Sequence, residues 1–196
     1  MANNTSINEF IQGFKGGTRL NRFEVIGNIS PGAASTNQVT PFHIRTASLP
    51  EATVGPIAIN YRGRTVAYSG DRTYLPWQIT ILDDHAGGDA DKENLFKMFH
   101  DWHEKINAHG PNTTQFPSGT DPSSLWCPSW IVQQLETNCN KPLPGRKFTL
   151  FNVWPIAIGP LQLDMSQDNI LASFAVTIQY SHYTYDGAPV TTDVGN

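Results

Sequence analysis

The sequence predicts a mainly β protein, an antiparallel β-sandwich or barrel with one flanking α-helix. At least six segments alternate apolar and polar residues between turn residues, which is typical of half-buried strands. Only one long segment, residues 89–108, has helical periodicity. Strands and helices do not alternate along the chain, so a parallel nucleotide-binding sheet is not expected.

Length and composition indicate one domain that assembles with other molecules. A chain of 196 residues can bury one hydrophobic core, so residues 1–196 are treated as a single domain. Charged residues make up 15% of the chain, against about 25% in an average soluble domain. Such a surface is expected to be neutral or covered by partners. The formal net charge of −4 gives no support for nucleic-acid binding through clustered cations.

The sequence gives no indication of a membrane segment, a secretory signal or a disulfide framework. No run of about 18 apolar residues occurs, and the N-terminus lacks the basic-then-apolar order of a signal peptide. We therefore expect a chain that folds in a cytoplasm and does not insert into a membrane. Cys127 and Cys139 lack the spacing of a zinc site and are expected to be separate thiols, although one bridge between them stays open.

The N-terminal part predicts an arm followed by strands. Residues 1–20 form the arm, and residues 5–14 within it could form a short amphipathic helix that ends at two glycines. Residues 22–30 and 38–47 each alternate in the manner of a half-buried strand.

A β-hairpin is predicted within residues 50–73. Its strands cover residues 54–68, and its tip is the run Arg62-Gly63-Arg64. An isolated two-stranded ribbon is marginally stable in water, so this hairpin is expected to lie against something else, such as another subunit. The two arginines could instead contact phosphates or stay solvated.

The segment 89–108 predicts the α-helix that flanks the strands. Acidic residues at its start favour the positive end of the helix dipole, and Gly110-Pro111 supplies a stop. Trp77, Ile79 and Ile81 form the strand that leads into it. Its apolar stripe is expected to pack on the sheet and consists of Leu95, Met98, Phe99, Trp102 and Ile106.

The C-terminal half predicts a long loop, three strands and a tail. Residues 110–128 lack periodicity and read as a surface loop. Strands are expected at residues 129–137, 147–154 and 171–180. Residues 181–196 are expected to form a mobile tail. In the last strand Phe174, Val176, Ile178 and Tyr180 should face the core. Its other face, small and uncharged, consists of Ser173, Ala175, Thr177 and Gln179.

Two histidines on the predicted helix are the one motif that suggests a metal site. His100 and His103 could bind zinc or iron together with Asp83, Asp84 or His85, which would suit a metal-dependent hydrolase. Histidines three residues apart on a helix are weak evidence, and solvated positions on the helix flank are the better interpretation. The chain also lacks a phosphate-binding loop, a dinucleotide fingerprint and a nucleophile turn. We therefore expect no catalytic, cofactor or metal site, and no enzyme.

Several segments, taken together, resemble the tail tube subunit of contractile-tailed bacteriophages, a family related to type VI secretion tube proteins. The order and spacing match over about residues 20–180. The Gly-Asp-Arg-Thr-aromatic run and the Trp-Pro to Leu-Gln-Leu-Asp run are the most specific. The segments are residues 21–25, 47–50, 70–74 with Trp77 and 83–84, 99–102, 153–164 and 172–180.

The resemblance implies a structural virion protein. Six copies would close into a ring, and rings would stack into a hollow tube inside a contractile sheath, with baseplate and tail terminator proteins as further partners. DNA would pass through the lumen without specific binding, in a virion tail assembled in the host cytoplasm. The hairpin would mediate contacts between subunits, and the candidates there are Ile57, Ile59, Tyr61, Arg62, Arg64, Asp71 and Arg72. The candidates for the lumen are Ser173, Ala175, Thr177 and Gln179.

Two related interpretations stay open at this point. The chain could be the tube protein of a type VI secretion or contractile bacteriocin system, or a baseplate component that initiates the tube. The loop at 110–128 and the tail at 181–196 depart from the family pattern and could face the sheath.

Overall fold

The computed structural model describes residues 7–14, 17–29, 38–39, 43–83, 94–114, 125–137 and 140–186. Within these residues lie two helices, α1 (Ile7–Phe14) and α2 (Leu95–Ile106). The strands are β1 (Phe23–Asn28), β2 (Gln38–Val39), β3 (Ile44–Ala47), β4 (Ala52–Tyr61), β5 (Arg64–Tyr74), β6 (Trp77–Leu82), β7 (Cys127–Leu135), β8 (Pro142–Ile158), β9 (Ser173–Gln179) and β10 (His182–Tyr185).

The strands form one antiparallel sheet and a separate hairpin, which confirms the predicted fold class. Seven strands of the sheet follow the order β2-β1-β7-β8-β9-β6-β3, and β10 pairs with β8 beside this path. The hairpin consists of β4 and β5 alone. Every pairing among the described strands is antiparallel.

The long strand β8 divides the sheet into two halves that face each other. Its residues up to Val153 pair with β7, and residues 154–158 pair with β9. Asn152, between these parts, has a left-handed backbone with φ of +53°, a conformation that asparagine tolerates better than most residues. The indole rings of Trp77 and Trp130, one from each half, meet edge to face with their centroids 6.3 Å apart.

Alternation along the strands builds the core between the two halves. Every second residue of β6 is buried, and these residues lie directly opposite the buried residues of β9. The four β9 side chains predicted to face the core are all buried. The buried pairs are Trp77 with Ile178, Ile79 with Val176 and Ile81 with Phe174.

Helix α2 flanks this core, but it is shorter than predicted. Asn94 has an extended backbone, and its side chain accepts hydrogen bonds from the backbone N–H groups of Phe96 and Lys97. This N-cap places the helix start at Leu95 and not at residue 89. Residues 84–93, including the predicted acidic turn, lie outside the described residues. The helix ends at Ile106.

The apolar stripe of α2 packs on β9. Leu95, Met98, Phe99 and Trp102 are buried, whereas Ile106 is half-buried. The ring of Phe174 on β9 meets the rings of Phe96 and Phe99 edge to face, with centroids 5.1 and 6.1 Å away.

Other boundaries also differ from the prediction: the strand expected at 147–154 extends over 142–158 as β8, and the hairpin strands expected within 54–68 cover 52–74. The single strand expected at residues 38–47 is two short strands, of which β2 pairs with β1 and β3 with β6. The loop expected at 110–128 ends earlier, because β7 begins at Cys127; residues 115–124 lie outside the described residues.

The tail expected at 181–196 contains strand β10, which pairs with β8 through residue 185. Its sequence His-Tyr-Thr-Tyr is rich in residues that favour strands, but four residues are too few for a periodicity argument. Residues 187–196 lie outside the described residues.

Candidate assembly interface

The hairpin stands apart from the sheet. Its strands pair from Ala52 with Tyr74 to Tyr61 with Arg64. The turn residues Arg62 and Gly63 both have positive φ, +48° and +77°, as in the type I′ turn whose twist matches that of paired strands. Every residue from 53 to 69 is exposed.

One face of the hairpin is apolar. Residues directly opposite each other in a ladder share a face, so the pairs Ile57 with Tyr68 and Ile59 with Val66 lie on the same side as Tyr61. These five side chains are between 45% and 64% exposed. The other face carries small and polar residues, such as Asn60 and Thr65, whose side chains are hydrogen-bonded to each other at 2.7 Å. A contiguous exposed apolar patch of this kind is typical of a protein interaction site.

The candidate interface residues do not all belong to this apolar face. Arg64 shares it, since it lies opposite Tyr61, and the Arg62 guanidinium lies 5.3 Å from the centre of the Tyr61 ring. Arg72 lies on the other face, opposite Val54, beyond a register shift that involves Asp71. Val66 and Tyr68 are not among the candidates predicted from the sequence, and the register of the hairpin places them on the face of Ile57 and Ile59.

An aromatic cluster attaches the hairpin to the sheet. The ring of Tyr74 at the end of β5 lies 6.0 Å from that of Tyr180 and 5.3 Å from that of Tyr183. The carbonyl oxygen of Glu51 accepts hydrogen bonds from the Tyr180 hydroxyl and the Leu75 N–H, both at 3.2 Å. Burial, with smaller contributions from nearby charged forms, raises the pKa of Tyr180 to about 12, so the hydroxyl stays protonated and can donate. The base of the hairpin therefore contacts the sheet on both sides, through Glu51 before β4 and through Tyr74 at the end of β5.

A second candidate surface is the outer face of β9. Ser173, Ala175, Thr177 and Gln179 are half-buried and point away from the core, as the alternation predicts. The register extends this face across β6, where Leu82, Thr80 and Gln78 lie opposite Ser173, Ala175 and Thr177. No side chain in these two rows is charged. The β6 residues were not among the candidates, because only the register shows that they continue the face.

Arg45 marks the edge of this neutral face. It is exposed on the neighbouring strand β3, and its guanidinium donates to the Ser173 hydroxyl at 3.5 Å.

Within the described residues, the helical histidines are not brought together with other metal ligands. His100 is exposed and packs edge to face against Phe96, with ring centroids 4.5 Å apart. His103 instead faces His109, at a ring distance of 5.8 Å. Among the residues that the structure describes, no group of three or more His, Cys, Asp or Glu could hold a metal ion. Asp84 and His85 lie outside those residues.

Cys127 is a free, buried thiol. Its Sγ–H donates to the carbonyl oxygen of Asn28 at 2.9 Å. Burial raises the pKa of this thiol to about 12, so it is not a thiolate near neutral pH. Cys139 lies outside the described residues.

A protein-family model matches most of the chain. The match is to the phage tail tube protein family, over residues 17–186. The chain belongs to this family. It is a structural tail tube protein, a component of the phage virion tail.

Characterised relatives agree with this assignment. The chain is 26% identical to tail tube protein gp19 of Enterobacteria phage T4 over 142 residues, which cover 72% of this chain and 79% of that protein. It is 24% identical to the tail tube protein of Serratia phage KSP90, over 89% of this chain and 94% of that protein.

Solved structures share the fold. A chain from the sheath-tube complex of an extracellular contractile injection system superposes with a TM-score of 0.55 at 13% identity, covering 93% of this chain and 98% of that one. A chain from the anti-feeding prophage baseplate also gives a TM-score of 0.55, at 11% identity, over 86% and 95% of the two chains.

In the described part of the present chain, no helix has the length and apolar character needed to cross a membrane.

Proposed function

We propose that six copies of this tail tube protein close into a ring and that the rings stack into the inner tube of a contractile phage tail. The tube is the conduit through which the genome enters the host. The observation that carries this proposal is the exposed apolar face of the hairpin in a chain of the tail tube family. A folded subunit with such a face gains stability when another copy covers it.

The hairpin is the main contact between copies in this proposal. Its apolar residues would be buried by a neighbouring subunit, and Arg62 and Arg64 would lie at the rim of the contact. Aromatic and arginine side chains are common in such positions because they combine large contact areas with directed hydrogen bonds.

The neutral outer face of β9 and β6 would line the lumen. A wall whose one positive charge is Arg45 at its edge binds phosphates weakly and so leaves the passing DNA free to move. Thr177 lies in the middle of this face, opposite Gln78.

The remaining partners follow from the proposed tube. They are the tail sheath, the baseplate and the tail terminator, with assembly in the host cytoplasm. Among the solved structures with this fold, one is a sheath-tube complex and another a sheath/tube terminator. This role requires no catalytic residue, metal or cofactor.

Electron microscopy of the purified chain tests the proposal. We expect hollow tubes or six-fold rings for the wild type, and mostly unassembled subunits for Ile57→Asn/Ile59→Asn. Leu20→Asn is a matched control, because Leu20 is exposed but lies outside the hairpin. A wild-type chain that stays monomeric under all assembly conditions would contradict the proposal.

The lumen assignment has its own test. Thr177→Lys should leave tubes intact in micrographs but slow DNA passage, measured as the delay between phage adsorption and genome entry. Thr184→Lys, the same substitution on an exposed residue of β10, is the control. Unchanged entry kinetics in the Thr177→Lys phage would show that this face does not line the lumen.

A further inference from the structure

The hairpin and the loop between β8 and β9 leave the sheet at opposite ends. Trp77, three residues after the hairpin, pairs with Ile178 near the end of β9. At the other end of the same pair of strands, Leu82 lies opposite Ser173, and the Asp83 N–H donates to the Ala172 carbonyl at 2.9 Å. The segment 159–172, named here the distal loop, joins β9 at this second end, about 17 Å from Trp77 at 3.4 Å per residue of strand.

The distal loop carries a second set of exposed apolar side chains. Four large ones are at least 63% exposed, namely Leu163, Met165, Ile170 and Leu171. A tight turn holds part of the loop, because the Asp164 carboxylate accepts hydrogen bonds from the Ser166 N–H at 2.9 Å and the Ser166 hydroxyl at 2.7 Å. These bonds hold the pKa of Asp164 below its usual range, so its charge is retained near neutral pH.

The charges of the two patches are opposite. The hairpin tip carries Arg62 and Arg64, and the distal loop carries Asp164 and Asp168 with no basic residue. All four side chains are exposed. Two apolar patches with opposite charges are complementary to each other, whereas contact between two hairpins would place arginines against arginines.

The hairpin is also long enough to reach another copy. Each of its strands has at least ten residues, which corresponds to about 34 Å. That is roughly twice the length of the β6–β9 ladder. A head-to-tail assembly needs two different surfaces on each subunit, and these two lie at opposite ends of one pair of strands.

We propose that the apolar face of the hairpin docks on the distal loop of a second copy of this chain. Leu163, Met165, Ile170 and Leu171 form the receiving surface, and Asp164 and Asp168 pair with the arginines of the hairpin tip. This inference rests on the proposed tube and identifies its receiving surface.

Tube assembly of full-length variants tests the docking. Leu163→Ser/Met165→Ser should reduce the polymer fraction at least tenfold, measured by sedimentation and electron microscopy. The thermal midpoint of the unassembled subunit should not change, because both side chains are exposed. Leu20→Ser is the matched control for a lost exposed leucine.

Charge reversal tests the pairing of the two surfaces. Arg62→Glu/Arg64→Glu and Asp168→Lys should each shorten the tubes several-fold, and all three changes in one chain should restore part of the length, because the new lysine can pair with the new glutamates while Asp164 stays negative. Asp168 is chosen because Asp164 also holds the turn. Asp186→Lys is the control for the change in net charge.

A mixture of two defective chains gives the sharpest outcome. Chains with Ile57→Asn/Ile59→Asn keep an intact distal loop, and chains with Leu163→Ser/Met165→Ser keep an intact hairpin. Mixed together, they should form short assemblies with one productive interface and no further growth.

The results separate this inference from the proposed function. If the wild type forms tubes and the hairpin variant does not, but the distal-loop variant assembles normally, the receiving surface is elsewhere and the inference is wrong. If Phe10→Ser/Phe14→Ser abolishes the tubes and the distal-loop variant does not, the receiving element is α1, whose apolar side chains are also exposed. A wild type that never assembles would overturn the proposed function, and this inference with it.

Discussion

The main sheet and the hairpin use the same sequence pattern with opposite results. In β6 and β9 the apolar side of the alternation is buried under α2 and the other half of the sheet. In β4 and β5 the apolar side is exposed, although Ile57 and Ile59 are as hydrophobic as Ile79 and Ile81. Alternation therefore predicts that a strand has two different faces, but it does not show which molecule covers the apolar one.

This difference divides the stabilising energy between folding and assembly. Full burial of an isoleucine or phenylalanine side chain stabilises by about 1.5–3 kcal/mol. In the main sheet this contribution stabilises the folded subunit. In the hairpin it becomes available only when a partner arrives, so substitutions in the two regions should differ in what they affect.

The largest expected effect on the subunit is at Trp102. This buried side chain packs beside Phe99, and its indole N–H donates to the Leu125 carbonyl at 2.9 Å. Trp102→Ala should lower the free energy of unfolding by about 3–5 kcal/mol, measured by urea denaturation. His100→Ala, on the exposed side of the same helix, should change it by less than about 0.5 kcal/mol. A larger effect at His100 than at Trp102 would contradict the packing described for α2.

The most direct comparison of the two regions uses one substitution at two isoleucines. Ile79 is buried in β6, and Ile59 is exposed in β4. Ile79→Ala should cost about 2–5 kcal/mol of subunit stability, because it leaves a cavity that the sheet cannot close. Ile59→Ala should change subunit stability by less than about 0.5 kcal/mol. Chemical denaturation of the unassembled variants measures both.

Assembly should reverse the order of these two variants. The polymer fraction should fall for Ile59→Ala at conditions where Ile79→Ala is still folded. Equal losses of subunit stability at the two positions would show that the hairpin packs within its own subunit, and the contrast between the regions would fail.

Two glycines give a similar comparison of a smaller size. A methyl group at Gly27 in β1 would overlap the indole of Trp130, whereas one at Gly55 in the hairpin would meet only the Asp71 carbonyl oxygen, at 3.9 Å. Gly27→Ala should destabilise by about 1–3 kcal/mol through overpacking. Gly55→Ala should be close to neutral in the same denaturation experiment. Neutral results at both positions would mean that Trp130 can move aside at no cost.

Local patterns predicted the strands whose two faces differ in polarity. The inward residues of β9 from Phe174 to Tyr180 and the buried stripe of α2 follow from residue spacing alone. The predicted start of α2 is wrong because the acidic residues before Asn94 resemble the first turn of a helix. The start is set instead by the hydrogen bonds to the Asn94 side chain, which are local contacts of one residue. Strand β10 was missed because its stability comes from pairing with β8, and pairing leaves no periodic signal in four residues.

The candidate interface was predicted only in part for the same reason. Ile57, Ile59 and Tyr61 were identified from alternation in one strand, but Val66 and Tyr68 join them through the register of the hairpin. The neutral face was likewise identified on β9 and missed on β6. Residues 159–164 of the distal loop belong to a run that carries the family resemblance, but the position of the loop opposite the hairpin depends on the order of the strands in the sheet.

Among the substitutions expected to destabilise the subunit, the smallest effect lies at Tyr180, where the two regions meet. Tyr180→Phe removes the hydrogen bond to the Glu51 carbonyl and keeps the ring contact with Tyr74. The cost to the subunit should be about 1 kcal/mol or less, since the Leu75 N–H still satisfies the same carbonyl. The direction of a hairpin about 34 Å long, however, depends on its base, so a small change there moves the tip by several times as much. We therefore expect shorter or irregular tubes in electron micrographs from a subunit with nearly normal stability. Regular tubes of normal length would show that the docked partner, and not the aromatic cluster, fixes the direction of the hairpin.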